Sequence, residues 1–290
     1  MAPDPPSQAE STYPIKVDTL KVPGATLYHE LRGSGPVLLM IPGGPADATV
    51  FTPIASLLAD RYAVVTYDTR GNSRSRLDGP PEDQRMEVHS NDAHRLLAAL
   101  GTEPAYVLGS SSGATVGLDL VARHPEQVQA LVAHEPPIMK LLPDSARHRA
   151  FVQEVYETYR RDGAGPAMAR FLAGAGLNGG PGPADSEPRG EPGPEMQEGM
   201  ARTQGNIEFF LAHMFRPISG YVPDLARLQA ASTRIVVAVG DASRGQLAHQ
   251  AGLALAERLG TDAVVFPGDH GGYATYPDAF AKLLHKVLRA

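Results

Sequence analysis

Short apolar runs recur along the chain, each closed by a turn of small residues and most followed by apolar residues at helical spacing. Val37-Leu-Leu-Met-Ile41 leads into Pro42-Gly-Gly-Pro45, and Ala46 to Asp60 then carries the helical pattern. Ala63-Val-Val-Thr-Tyr67 leads into Asp68-Thr-Arg-Gly71. Tyr106-Val-Leu108 leads into Gly109-Ser-Ser-Ser-Gly113, with a helical run to His124 that stops at Pro125. Gln129 to Ala133 precedes His134-Glu-Pro-Pro137. Arg234 to Val239 and Ala263 to Phe266 repeat the scheme around a helix over Arg244 to Leu259, and Pro277 to Leu288 forms a last helix opened by proline. Continuous apolar runs belong to strands covered on both faces, so the pattern predicts an α/β fold with a mostly parallel sheet flanked by helices. Tyr28 to Leu31, before Arg32-Gly-Ser-Gly35, reads as an antiparallel strand joined by a hairpin.

The alternation breaks between Ile138 and Asp224. Ser145 to Arg161 has helical spacing, with Phe151, Val155, Tyr156 and Tyr159 near one face; Ala164 to Leu172 and Ile207 to Phe215 are further helical candidates. Gly174 to Gly199 is dominated by Gly, Pro, Ala and Glu and carries too little apolar surface to order itself. The predicted organisation is a core over 1–136 and 224–290, with a disordered tail over 1–12. A helical cap over 137–223 carries a mobile loop near 174–199 above the strand ends. Phe209, Phe210, Met214, Phe215 and Tyr221 read as the core of that cap, with one or two facing a pocket.

Composition narrows the chemistry. A hydrophobic share of 42% in 290 residues suffices for a sizeable core. The net charge of −6, with both signs scattered, offers no basic stripe for nucleic acid and no polybasic membrane signal. Without cysteine there is no disulfide and no thiolate nucleophile or metal ligand. Met1 to Glu10 lacks the basic and apolar parts of a signal peptide, and no apolar run is long enough to span a bilayer, so the chain reads as a soluble cytoplasmic protein acting on a small molecule. A homo-oligomer is compatible with the sequence.

Gly109-Ser110-Ser111-Ser112-Gly113 fits G-x-S-x-G between a predicted strand and a predicted helix. A sharp turn there strains the central residue and requires small neighbours. Ser111 alone has glycine at both −2 and +2, which makes it the candidate nucleophile at a helix start that favours negative charge. For an oxyanion, the N–H of Ser112 is one natural donor and that of Gly44, in the loop after Val37–Ile41, a second. Gly43-Gly44 is equally readable as a tight turn needing glycine, and both readings can hold. His270, on the Pro267-Gly-Asp-His-Gly-Gly loop after the last predicted strand, is the candidate base. Of the ten histidines, His89, His94, His124, His148, His249 and His285 fall on predicted helices as solvated or capping residues, while His134 and His213 remain open.

These residues, in this order and together with Asp68-Thr-Arg-Gly-Asn-Ser-Arg-Ser75, resemble the α/β-hydrolase superfamily from about Leu27 to the C-terminus. The likeness is greatest to the esterase, lactonase and prolyl-iminopeptidase-like branches with a Gly-Gly-Pro oxyanion loop, and Pro42 stands where many relatives carry histidine. The resemblance implies a sheet of about eight strands, a Ser-His-acid triad and no cofactor. Relatives commonly carry the acid about three residues beyond a glycine after the penultimate strand. Here that position in Val239-Gly-Asp-Ala-Ser243 holds Ser243. Asp241 is one alternative; Glu135, ending a strand before Pro136-Pro137, is the other and is narrowly favoured. Asp68 and Arg70 read as loop-holding residues.

The leading functional expectation is a serine hydrolase cleaving a small carboxylic ester or lactone through an acyl-enzyme. An amide or aminopeptidase-like hydrolase would need cap carboxylates to grip an amine, and Glu154, Glu157 and Glu208 form no evident cluster. A non-catalytic ligand-binding homologue is the third reading, opposed by the pairing of Ser111 with His270. Ser111 also argues against the members of the fold that use an aspartate nucleophile.

Overall fold

The computed structural model describes residues 13–101, 103–177 and 194–290. The tail expected over 1–12 lies outside the described residues. Among the described residues there are nine strands: β1 (Lys16–Val22), β2 (Ala25–Arg32), β3 (Val37–Ile41), β4 (Ala63–Tyr67), β5 (Arg76–Leu77), β6 (Ala105–Ser110), β7 (Val128–His134), β8 (Arg234–Gly240) and β9 (Val264–Phe266). They form one sheet in the order β1-β2-β4-β3-β6-β7-β8-β9, with β5 beside β2. From β4 to β9 every pairing is parallel, and β2 joins β4 antiparallel. The antiparallel strand expected at Tyr28–Leu31 is the middle of β2, whose hairpin partner is the preceding β1.

Period two divides each central strand between two cores. Leu38 and Met40 of β3, Leu108 of β6 and Val132 of β7 face the helices Thr52–Leu58 and Pro277–Arg289, through Ile54, Phe280 and Leu284. Leu39, Ile41, Val107 and Leu131 face the opposite layer, where Met86–Leu100, Ser112–Arg123 and Leu247–Leu259 contribute Leu96, Leu118 and Leu255. All of these side chains are buried, which is why the strands read as continuous apolar runs.

Chain connections diverge on either side of β3 and β6. From β3 the chain moves outward to β4, whereas from β6 it moves the other way to β7, β8 and β9. Such a switch point opens a crevice at the carboxyl ends of the strands. Over it lie helices Ser145–Asp162, Ala164–Ala175 and Pro194–Phe209, a π-helical turn Phe210–Met214, and helix Phe215–Ser219. The loop expected near 174–199 is shorter at its described ends. Gly174 and Ala175 close one helix, and Pro194 to Gly199 open another in which proline sets the first-turn geometry; residues 178–193 lie outside the description.

Candidate active site

Ser111 stands between β6 and helix Ser112–Arg123 with φ 56° and ψ −126°, a region that L-residues avoid at a cost of about 1–3 kcal/mol. Three features hold it there. Its N–H donates to the His134 carbonyl at 2.9 Å, its own carbonyl accepts from Ala114 N–H at 2.9 Å, and the flanking glycines let backbone segments touch. A Cβ on Gly109 would overlap Gly113 and Ala114, and one on Gly113 would overlap the Ile41 carbonyl at the end of β3. The G-x-S-x-G spacing is thus a steric requirement of this turn.

His270 follows β9, and its Nδ1 is 2.6 Å from Glu135 Oε2. Glu135 is the first residue beyond β7, with φ 49° and its N–H bonded to the Ala238 carbonyl of β8 at 2.9 Å. Pro136 after it disfavours the right-handed helical conformation, leaving an abrupt turn that aims the side chain along the strand ends. The carboxylate is fully buried. Oε1 accepts from Gly240 N–H at 2.9 Å and from the Ser243 hydroxyl. Burial pushes this carboxyl up, but the His270 hydrogen bond and charge, with lesser help from His134 and Ser243, outweigh it and hold the group at about 2.

Asp241, the other candidate acid, lies elsewhere in the network. Its Oδ1 accepts from Gly268 N–H at 2.8 Å and its N–H donates to Phe266, so it ties the loop after β8 to the loop carrying His270.

The two candidate oxyanion donors are linked to each other. Gly44, with φ 55°, donates its N–H to Ser112 Oγ at 2.7 Å, which seats the loop after β3 on the start of helix Ser112–Arg123. Gly43 lies closer still: a Cβ there would be 2.5 Å from Ser111 Cβ and 2.6 Å from the Ser110 carbonyl. Where Pro42 leaves no side-chain donor, two asparagines support the loop. Asn72 Nδ2 donates to the Gly44 carbonyl at 3.2 Å, and Asn206 Nδ2 to the Pro45 carbonyl at 2.8 Å. Asp68 accepts from Ala48 N–H and from Arg74, while Arg70 forms a bidentate pair with Asp92, each bond 2.6 Å.

Ser111 and His270 open on one cavity of about 220 Å³, whose walls include Gly44, Ser112, Met168, Phe171, Phe210 and Phe215. The π-helical turn at Phe210–Met214 widens the backbone where it delivers Phe210 to this wall. Among the described residues, no Asp, Glu, Lys or Arg lines the cavity. Glu154 instead pairs with Arg170, Glu157 with Gln153, and Glu208 with the Tyr159 hydroxyl.

His134 is fully buried, its ring centroid 6.3 Å from that of His270. Burial, with His270 alongside, holds it down at about 4 against the pull of Glu135, so it is neutral at pH 7 and leaves that carboxylate to His270. Its Nδ1 lies 3.2 Å from Ser110 Oγ, which also bonds the Tyr273 hydroxyl at the cavity wall. Two histidines expected on solvated helix faces are in fact buried: His89, held down at about 3 by burial and by Arg70, and His249. They lie on the inner faces of Met86–Leu100 and Leu247–Leu259, so packing decided their environment. Ser243, Asn72 and Asn206 carried no sequence signal for the parts they take here, because each acts on a residue far along the chain.

The model of the α/β hydrolase fold family matches residues 36–174. The chain is 39% identical over 281 residues to the uncharacterized hydrolase YraK of Bacillus subtilis strain 168, covering 94% of this chain and 96% of that protein. It is 29% identical over 278 residues to a zearalenone hydrolase of Cladophialophora bantiana, covering 92% and 94%. Among solved structures, a thermophilic esterase from Thermogutta terrifontis superimposes with a TM-score of 0.73 at 21% identity, over 96% of this chain and 98% of that one. The chain belongs to the α/β-hydrolase superfamily. It is an enzyme of that fold, a hydrolase, and among the described residues no helix is long and apolar enough to cross a membrane.

Proposed function

We propose that this enzyme hydrolyses a small, uncharged carboxylic ester or lactone through an acyl-enzyme on Ser111. The observation that carries the reading is the 2.6 Å bond between Glu135 and His270, on a histidine that shares its cavity with a serine held in a strained strand-to-helix turn. Glu135 fixes the ring with Nδ1 protonated, leaving Nε2 to accept a proton. As Ser111 Oγ bonds to the carbonyl carbon, its proton passes to His270 Nε2. The N–H groups of Ser112 and Gly44 receive the developing oxyanion. Gly44 gives up or shares its bond to Ser112 Oγ at that moment, and two such donors are each worth roughly 3 kcal/mol. Collapse breaks the bond to the leaving oxygen, which takes the proton from His270. Water then repeats the sequence, releasing the acid and restoring Ser111.

The wall chemistry supports an ester over a peptide's amino terminus, because among the described residues no carboxylate lines the cavity to hold an ammonium group. Its aromatic and thioether side chains suit an apolar acyl or ring group. The relative named as a zearalenone hydrolase agrees with hydrolysis as the reaction class.

A fluorophosphonate probe followed by peptide mapping tests the assignment. Labelling is expected on Ser111 in the active protein and to vanish in Ser111→Ala. Labelling that survives that substitution would rule out Ser111 as the nucleophile.

A further inference from the structure

Helix Pro194–Phe209 crosses the loops that follow β3 and β4, and it meets them with residues spaced three, four and three apart, one stripe of a helix. The first is Gly199, where a Cβ would overlap Thr49 Oγ1. Arg202 follows, its Nε donating to Asp47 Oδ2 at 2.6 Å. Asp47 is fully buried and also accepts from Thr49 N–H at 3.0 Å. Next is Asn206, 6% exposed, with every side-chain polar atom engaged. Its Nδ2 donates to the Pro45 carbonyl and to Ser73 Oγ, each at 2.8 Å, and its Oδ1 accepts from Ser73 N–H at 2.7 Å. The stripe ends at Phe209, whose ring fills the space a Cβ on Gly71 would need.

Both loops so gripped belong to the same functional part. One carries Gly44; the other carries Asn72, which holds the Gly44 carbonyl. Consecutive carbonyls, of Gly44 and Pro45, are therefore tied to two different asparagines, one from the core and one from the overlying helix. The direction of the Gly44 N–H depends on how the peptide planes after it are held, since glycine at φ 55° has wide rotational freedom of its own. Ser73, the other residue Asn206 holds, also sits at a positive φ, 48°, and needs external support. Asn206 itself is outside the cavity wall.

We propose that Asn206 is a positioning residue for the oxyanion hole, delivered by the overlying helix, with Arg202 and Asp47 as the ion pair that seats the helix. This rests on the ester-hydrolysis reading above. It follows that Asn206 serves the transition state and not the ground state, because it steadies a donor that matters when charge develops on the substrate oxygen.

The test is steady-state kinetics of Asn206→Ala and Asn206→Asp with p-nitrophenyl butyrate, alongside binding of a phenylboronic acid that forms a tetrahedral adduct with the nucleophile. Asn206→Asp keeps the acceptor and the shape but loses both donated bonds, so it reports even if the alanine variant folds poorly. In each folded variant kcat is expected to fall roughly tenfold to hundredfold with KM within about twofold, and boronate affinity to fall by a similar factor. Arg202→Lys, which keeps the charge beside Asp47, is expected to lose less than Asn206→Asp. Full kcat in Asn206→Asp, or a loss confined to KM, overturns the proposal. If the unsubstituted enzyme neither turns over the ester nor binds the boronate, the ester-hydrolysis reading itself fails and takes this one with it.

Discussion

Ser243 donates its hydroxyl to Glu135 Oε1, the same oxygen that the Gly240 N–H approaches to 2.9 Å, while Oε2 of that carboxylate meets His270 Nδ1 at 2.6 Å. Ser243 and Glu135 are both fully buried. The carboxylate therefore keeps its charge in a place where water cannot reach it, because three donors replace the lost hydration. Ser243 stands where relatives commonly carry the acid itself, and here the side chain at that position hydrogen-bonds a carboxylate just beyond the neighbouring strand.

Ser243→Ala is expected to cost about 2 kcal/mol of stability, the scale of a hydrogen bond to a buried charge, and to lower kcat several-fold as Glu135 loosens its hold on His270. Urea midpoints and ester kinetics read the two effects separately. Ser243→Asp should be worse in both, since it sets a second carboxylate against the first. Combined with Glu135→Gln it should recover part of the lost activity.

Glu135→Gln is expected to lower kcat by roughly a thousandfold or more, because the amide favours the wrong tautomer of His270 and cannot balance its positive charge. Asp241→Asn keeps an acceptor for the Gly268 N–H and removes only the charge, so it should change kcat by less than about tenfold, with a stability loss of about 1 kcal/mol or less. Equal effects of the two substitutions on p-nitrophenyl ester turnover would remove the basis for choosing Glu135.

The depressed carboxyl also predicts an acid-side stability profile. Glu135 titrates at about 2 in the folded enzyme against an ordinary 4.5, so its contribution is complete above about pH 4.5. It is lost progressively as pH falls through that window toward 2. Denaturant midpoints of the native enzyme should drop across this range, and those of Glu135→Gln should start lower and drop less. Parallel curves would show that other carboxylates carry the acid sensitivity.

Gly43→Ala is expected to abolish most activity, since its Cβ would lie 2.5 Å from Ser111 Cβ and something must move. Overpacking of this kind costs about 1–3 kcal/mol, and here the strain falls on Ser111. Gly79→Ala, where the new Cβ meets nothing within 4 Å, is the matched control and should leave kcat and thermal midpoint unchanged.

How much of this was legible along the chain depends on the range of the interaction concerned. The central strands β3, β4, β6 and β8 announced themselves because burial on both faces forces unbroken apolar runs. β1, with the sequence Lys-Val-Asp-Thr-Leu-Lys-Val and mostly exposed side chains, gave no such signal, since an edge strand is held by its hairpin partner. Ser111 and His270 were readable from local steric demands, glycines at fixed offsets around a turn. The pair Glu135 and Asp241 could be named but hardly ranked, because the choice turns on which side chain faces His270 across the strand ends. Asn206 was invisible: its three bonds reach residues 133 and 161 positions away. His89 is buried, contrary to the solvated face expected of it, for the same reason: its helix face is decided by what packs beneath it.

The buried charge of Asp47 has a bearing on how the molecule folds. Its carboxylate is fully covered, and the guanidinium that answers it comes from Arg202, a residue 155 positions later in the overlying helix. A strand-and-helix body made without residues 137–223 would lose that counter-charge and the helix that covers the carboxylate. The upper helices are thus not a detachable cover set on a finished body. A single cooperative melting transition is the expected behaviour of the two regions so joined.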